Sequence, residues 1–166
     1  MITRLQIHDE LKGIATRHKQ VNTFGTGDIF ELGASGHTQY PVMWVNPVDS
    51  RMKKGVFTSS WDIWLIDKGE EGEAGETMRI SDMEQIALDI VADLKDPTYG
   101  WHFQEEGVSI LPLTNAFTDR VDGVKLELDI DISFQSDRCA IPRTGGPSAI
   151  LPECLPVTIL YSSGAV

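Results

Sequence analysis

The chain contains few cysteines and no long apolar run. Cys139 and Cys154 are its two cysteines, and neither has the further Cys or His residues of a zinc site nearby. A disulfide framework needs more cysteines, so we expect two reduced thiols. No apolar run approaches the ~20 residues of a membrane span, and the N-terminus lacks the apolar core of a signal peptide. These absences predict a protein that folds in the cytoplasm and has no membrane partner.

Basic residues are also scarce. The chain has 14 Lys and Arg against 25 Asp and Glu, which gives a formal net charge of −11 at pH 7. This balance argues against a nucleic-acid-binding surface, since phosphate contacts need clustered Lys and Arg. It fits a surface along which DNA passes without binding, and it equally fits an acidic surface that serves solubility. The only basic cluster is Arg51, Lys53 and Lys54.

Motifs for catalysis or cofactor binding are missing as well. Gly25-Thr26-Gly27 lacks the third glycine of a dinucleotide fingerprint, and the four histidines have no metal-ligand spacing. Asp129 and Asp131 share one face of a strand, which would permit a metal or an acid–base pair. Glu127 continues the row and favours a solvated face instead. The sequence therefore predicts no cofactor and no metal, and it favours a binding or structural module over an enzyme.

The most informative segment is residues 124–134. Its even positions are apolar and its odd positions are charged or polar, from Val124 to Phe134. Because side chains of a strand point alternately to opposite faces, this pattern predicts a strand with one buried and one wet face. A one-residue slip would bury all its charges, so the register is well specified. We expect a central strand of an antiparallel sheet that is covered on one side only.

Two amphipathic helices are predicted. The first spans residues 2–19, with Leu5 among the residues on its apolar face. The second opens with a capping box at Ser81, or a turn earlier near Thr77, and ends at Asp96-Pro97 because a residue before proline avoids the α region. Its apolar stripe is Met83, Ile86, Ala87, Ile90, Val91 and Leu94.

Further strands are predicted at residues 24–32, 40–45, 56–66 and 108–113. Residues 47–55 are interpreted as a hairpin loop and Asp122-Gly123 as a tight turn. Trp64 falls on the outward face of its strand beside Ile66, which predicts an exposed indole at an interface. The alternative is that helices cover part of both faces, or that the register shifts at a bulge.

The order of elements predicts an α+β fold, a mainly antiparallel β-sheet with two α-helices packed on one face. Prolines recur through residues 136–156 and indicate an extended C-terminal Pro-rich arm. Residues 156–161 are a candidate terminal strand that docks on another subunit. The predicted division is an α+β core domain at 1–137 and the arm at 138–166.

Six segments follow one another in a recognisable order over about residues 1–142. They are 18–30 (HKQVNTFGTGDIF), 40–46 (YPVMWVN), 64–68 (WLIDK), 85–91 (QIALDIV), 114–124 (TNAFTDRVDGV) and 137–142 (DRCAIP). In order and spacing the chain resembles the tail-completion, or neck, proteins of tailed bacteriophages and prophages, notably those infecting Bacteroidetes.

The resemblance implies a ring-forming virion protein without catalytic residues, assembled in the host bacterial cytoplasm. Tail terminators of this general fold usually form a hexamer that caps the tail tube and joins it to the neck. The implied partners are further copies of the chain, the tail tube protein and the portal, adaptor or stopper proteins, while DNA passes through without specific binding. Two alternatives are a neck stopper or adaptor protein and a non-viral monomeric protein-binding module, which would bind through the exposed Trp64 side of the sheet. A third is an enzyme built on Asp129 and Asp131.

This hypothesis selects a set of interface residues. They comprise the outward tryptophan, an acidic loop, the outward acids of the long strand and two arm prolines: Trp64, Glu70, Glu71, Glu73, Glu127, Asp129, Asp131, Pro152 and Pro156. The acids are expected to face a neighbouring subunit or a channel. The loop suits contact with a neighbouring ring, and the arm suits edge pairing with another chain.

Overall fold

A computed structural model describes residues 2–32, 38–69, 75–116 and 120–134. Within these ranges the helices are α1 (Arg4–Arg17) and α2 (Glu76–Leu94). The strands are β1 (Thr23–Thr26), β2 (Val42–Lys53), β3 (Val56–Lys68), β4 (His102–Phe103), β5 (Ser109–Ala116) and β6 (Val121–Ser133). Short 3-10 helices lie at Ile29–Glu31, Pro97–Tyr99 and Glu105–Gly107. The predicted α+β class is confirmed.

The alternating segment forms the greater part of β6, which is a central strand as its pattern predicts. The sheet order is β1-β2-β3-β6-β4, and β5 pairs with β6 further along the same side. β6 runs antiparallel to the whole of β3. The β1–β2 pair is parallel, so the sheet is mostly rather than wholly antiparallel.

Both helices pack on one face of this sheet. The even positions of β6 contribute an uninterrupted row from Val124 to Ile132 to the core, beside Trp61, Ile63 and Leu65 of β3. The helices cover the row with residues at helical spacing: Ile7, Leu11, Ile14 and Ala15 of α1, and Met83, Ile86, Ala87, Ile90 and Leu94 of α2. Burial of one such large aliphatic side chain contributes about 1.5–3 kcal/mol, so this layer is the main source of hydrophobic stabilisation.

The apolar face of α2 was predicted correctly, whereas the stripe predicted for α1 omitted Ile7 and included Leu5, and the start of α2 was placed too late. Ile7 is fully buried while Leu5 is 67% exposed, so the placement of Leu5 in the first stripe was wrong. Ile7, Leu11 and Ile14 have the 4-and-3 spacing of a single face, and Leu5 lies off it. α2 begins at Glu76 after Gly75; the capping box at Ser81 was wrong and the alternative start near Thr77 was nearly right.

Residues 47–53 were predicted as a loop, and the structure corrects this. They continue β2, because a register shift between Pro47 and Ser50 lets the strand pass a proline that cannot donate to the ladder. The turn consists of Lys54 and Gly55, with φ of 50° and 78°. Positive φ at both positions is typical of a two-residue hairpin. β2 and β3 therefore form a long hairpin with basic residues at its tip.

The segment predicted as a strand at 24–32 is strand only at its start. β1 ends at Thr26, and Ile29–Glu31 is a 3-10 helix. A Cβ at Gly25 would lie 2.2 Å from the ring of Trp44, so this glycine permits close approach to the β2 side chain.

Asp122 and Gly123, predicted as a tight turn, lie inside β6. A Cβ at Gly123 would lie 2.0 Å from the carbonyl oxygen of Leu65, so glycine is needed for β3 and β6 to approach here. Asp122 is 3% exposed and accepts hydrogen bonds from Arg79 of α2, at 2.9 Å from Nε and 2.6 Å from Nη2. The pair ties the start of β6 to the start of α2.

The compact unit that contains the described residues ends at Phe134, whose N–H donates to the carbonyl oxygen of Gly55 at 2.9 Å. The predicted boundary at 137/138, the arm and both cysteines lie outside the described residues. None of the helices in the described ranges has the length and apolar character needed to cross a membrane.

Candidate functional site

The sheet face opposite the helices carries the candidate site. Cross-strand pairing brings Asp62 beside Glu127, Ser60 beside Asp129, and Thr58 beside Asp131. Lys125 lies next along β6, opposite Trp64. We call this surface the polar face: Thr58, Ser60, Asp62, Lys125, Glu127, Asp129 and Asp131. The polar face follows from the alternation of β6. Its even positions point toward the helices, so its odd positions point toward the opposite side of the sheet.

Lys125 neutralises two acids of the polar face. Its Nζ lies 2.8 Å from Asp62 Oδ2 and 2.7 Å from Glu127 Oε1, and 5.5 Å from the centroid of the Trp64 ring. Burial lowers the pKa of Lys125, but the hydrogen bonds and the negative charges of Asp62 and Glu127 outweigh it, and the pKa lies above its ordinary value. The ammonium group is therefore held in its charged form.

Asp129 and Asp131 are each held by two donors. Asp129 accepts a hydrogen bond from Ser60 Oγ at 2.5 Å and forms an ion pair with Arg51 of β2. Asp131 accepts from Thr58 Oγ1 at 2.5 Å and from the side-chain amide of Gln104. The two carboxylates are directed at their own partners rather than at a common point. In the described ranges no three His, Cys, Asp or Glu residues are grouped so that they could hold a metal ion.

Among the described residues, two open hollows border the polar face. One, of about 340 Å³, includes Ser60, Lys125 and Asp129 in its wall. The other, of about 600 Å³, lies at the β4 edge and is lined by His102, Phe103, Gln104, Glu105, Glu106 and Asp131. Their linings are rich in charge, unlike the mainly apolar lining of a typical small-molecule pocket.

Trp64 does point away from the helices, but its predicted exposure was wrong. It is 9% exposed and lies in a second, smaller core with Val42, Ile66 and Val121. The alternative of a covered outer face was closer, although the cover includes Ile29 and Leu32, from the 3-10 segment, rather than an α-helix. The side chains at this end of the outer face are apolar, and their exposure to water would be unfavourable. The 3-10 segment packs over them for this reason.

The other predicted interface residues fall into two groups. Glu127, Asp129 and Asp131 share the polar face, as the alternation predicted. Those outside the described residues are Glu70, Glu71, Glu73, Pro152 and Pro156.

Sequence reasoning missed Arg51 and Gln104 as partners of these acids. The pairing of β2 with β3 and of β4 with β6 brings these partners to the acids, and no local motif in the sequence indicates that pairing. The only feature that pointed to Arg51 was its place in the basic cluster.

We expect Lys125→Met to lower the free energy of unfolding by about 1 kcal/mol at neutral pH, because it leaves two carboxylates side by side without their shared cation. A raised pKa in the folded state adds stability that is complete below the unfolded pKa of about 10.4. It is lost as the pH rises through the folded pKa. The difference between wild type and variant should therefore be constant from neutral pH to about 10 and shrink above it, as measured by urea unfolding.

The control for this experiment is Lys12→Met. Lys12 is exposed and has no ion pair among the described residues, so its replacement should change stability little at any pH. A loss of stability in Lys125→Met that stays the same above pH 11 would contradict the charge interpretation and point to packing alone, since about 10.4 is the ordinary lysine pKa.

No family model matches the chain, and a search of curated proteins finds none that is significantly similar.

Proposed function

We propose that this protein is a structural component of the head–tail junction of a tailed bacteriophage. In this proposal it is a ring-forming tail terminator, without catalytic activity, that caps the tail tube and joins it to the neck. The observation that carries the proposal is the resemblance of six ordered segments to tail-completion proteins. Five of these segments fall wholly or mainly in the described part of the chain, and they include β1 and parts of α2, β2, β3, β5 and β6.

The architecture supports this proposal in one respect. The resemblance implies a small α+β protein, and the described residues have that fold. The helices occupy one sheet face, so among the described residues the polar face and the outer sheet edges are not covered by an α-helix and can contact neighbouring molecules. A ring subunit needs such surfaces, because each copy has to contact a copy on either side.

The polar face also supports this proposal. Asp62, Glu127, Asp129 and Asp131 place four carboxylates on one surface, against Lys125 and Arg51. A surface with this excess of acid repels phosphates. In a ring around a channel, such a surface would let DNA pass without binding.

The competing module hypothesis loses its main support. It used an exposed Trp64 as the binding surface, and that indole is 9% exposed. A partner could not reach it without opening the smaller core of Val42, Ile66 and Val121. The neck stopper or adaptor is the alternative that the following experiment separates from the terminator.

The proposal is tested by deleting the gene from a host that carries it in an inducible prophage. A terminator predicts tails of irregular, excessive length that are detached from filled heads in electron micrographs, and a plasmid copy should restore normal particles. Tails of normal length that fail to join heads would indicate a stopper or adaptor. Normal particles from the deletion strain, together with absence of the protein from purified wild-type particles by mass spectrometry, would refute a virion role.

A further inference from the structure

The tip of the β2–β3 hairpin is a basic surface on an open strand edge. β1 pairs with β2 only from Val42 to Val45, so the remaining outer edge of β2 has no strand beside it in the described residues. Lys53 and Lys54 are exposed and form no ion pair within the described ranges. Met52, beside them, is 56% exposed. We call Arg51, Met52, Lys53 and Lys54 the basic hairpin.

The opposite sheet edge carries an acidic hollow. It is the hollow of about 600 Å³ beside β4, with Glu105, Glu106 and Asp131 in its wall and Phe103 as its apolar part. Glu105 pairs with Lys95 at 2.9 Å, yet its side chain is 62% exposed. Glu106 is exposed and has no ion pair in the described part of the chain. We call this surface the acidic hollow.

The two surfaces lie at the same end of the sheet but cannot meet within one molecule. A single cross-strand row runs Arg51, Thr58, Asp131 and His102, through β2, β3, β6 and β4. Neighbouring strands are about 4.8 Å apart, so the edges are separated by roughly 14 Å of filled sheet. Within the described residues the two surfaces therefore cannot pair with each other, whereas the corresponding surfaces of two molecules can.

We propose that the basic hairpin of one copy docks in the acidic hollow of the next copy. Because the two surfaces differ, the contact is head-to-tail, and it closes into a ring when the rotation between copies permits. This contact specifies how neighbouring subunits recognise each other. Its closure into a ring rests on the proposed function. The lysines of the basic hairpin would meet Glu105 and Glu106, which are both exposed.

Charge complementarity favours a second copy over other occupants. The chain carries a net charge of −11, so the basic hairpin is unusual on this surface, and every other copy presents the matching acids. Contacts of this kind set specificity and register, and their strength falls with added salt.

The test is a charge swap in the full-length chain. One variant carries Lys53→Glu and Lys54→Glu, and the other carries Glu105→Lys and Glu106→Lys. Each alone should weaken self-association about tenfold or more, measured by sedimentation velocity at about 0.1 M salt. A mixture should recover, because the reversed hairpin of one variant fits the reversed hollow of the other. A chain with all four changes should associate with itself like wild type.

Zero-length carbodiimide cross-linking reads the contact directly, even where association is weak. In a mixture of isotopically light and heavy protein, we expect intermolecular links from Lys53 or Lys54 to Glu105 or Glu106. Self-association that neither reversal weakens would overturn the inference, and so would lysine links that go instead to the acidic loop 70–73 or to no other copy. Either result leaves the virion test unaffected, so the failure of this contact is distinguishable from the failure of the proposed function.

Discussion

Asp122→Ala is expected to destabilise the protein by about 3–5 kcal/mol, which is the usual cost of removing one partner from a buried ion pair. Arg79 and Asp122 have side chains that are only 15% and 4% exposed. Without the carboxylate the guanidinium would be left charged, with little access to water and without the Oδ2 atom that accepts from both Nε and Nη2. The change also frees the start of β6 from the start of α2. Urea unfolding monitored by tryptophan fluorescence would measure the loss.

Two further variants separate charge from position. Arg79→Met combined with Asp122→Leu should recover most of the lost stability, since an apolar pair of similar size avoids the uncompensated charge. Lys95→Ala breaks a surface pair whose side chains are 44% and 62% exposed, and should cost no more than about 1 kcal/mol. If Lys95→Ala and Asp122→Ala lowered the free energy of unfolding by the same amount, this would contradict the claim that burial makes the loss of one ion-pair partner costly.

Gly123→Ala is expected to cost about 3 kcal/mol or more, at the high end for a single added methyl group. The new Cβ would lie 2.0 Å from the carbonyl oxygen of Leu65 and 2.9 Å from the Cα of Ile66. Both are backbone atoms of the paired strand, so no side-chain rotation can relieve the contact. β3 and β6 would have to move apart in the middle of the sheet. The midpoint and slope of urea unfolding would quantify the effect.

Two other glycines serve as controls for Gly123. Gly107→Ala should be nearly neutral, because nothing lies within 4 Å of the added Cβ. Gly25→Ala should be intermediate, since its contact at 2.2 Å is with the Trp44 side chain, which can shift. A Gly123→Ala protein as stable as Gly107→Ala would show that the two strands have more freedom than their pairing implies.

Prediction from the sequence was most accurate where the position of a residue within a strand or helix determines by itself whether the side chain is buried. The strand period of 2 along β6 and the helical spacing in α2 each identified a buried face correctly, because the backbone alone fixes which way those side chains point. The polar face followed from the same alternation. Its hydrogen-bond partners did not, since Arg51 and Gln104 reach Asp129 and Asp131 through strand pairings between segments distant in sequence.

The misplaced elements share a physical cause. Asp-Gly pairs and proline favour turns locally, but strand pairing in the folded protein can override this preference. At Asp122-Gly123 a buried ion pair and a close strand approach use the same two residue types for another purpose. At Pro47 a register shift accommodates the missing donor. Trp64 was misjudged because an irregular segment, Ile29 to Leu32, helps to cover one end of the outer face.

The pairing of β3 with β6 also has a consequence for biosynthesis. The partners in this ladder are more than fifty residues apart in sequence, from Lys68↔Val121 to Val56↔Ser133. Contacts between distant segments slow folding, because loop closure has to precede any gain from them. On the ribosome, α1 and the β2–β3 hairpin would emerge with one side of β3 still unpaired. The sheet can be completed only after Ser133 has left the exit tunnel, so we expect the domain to fold late and in one cooperative step.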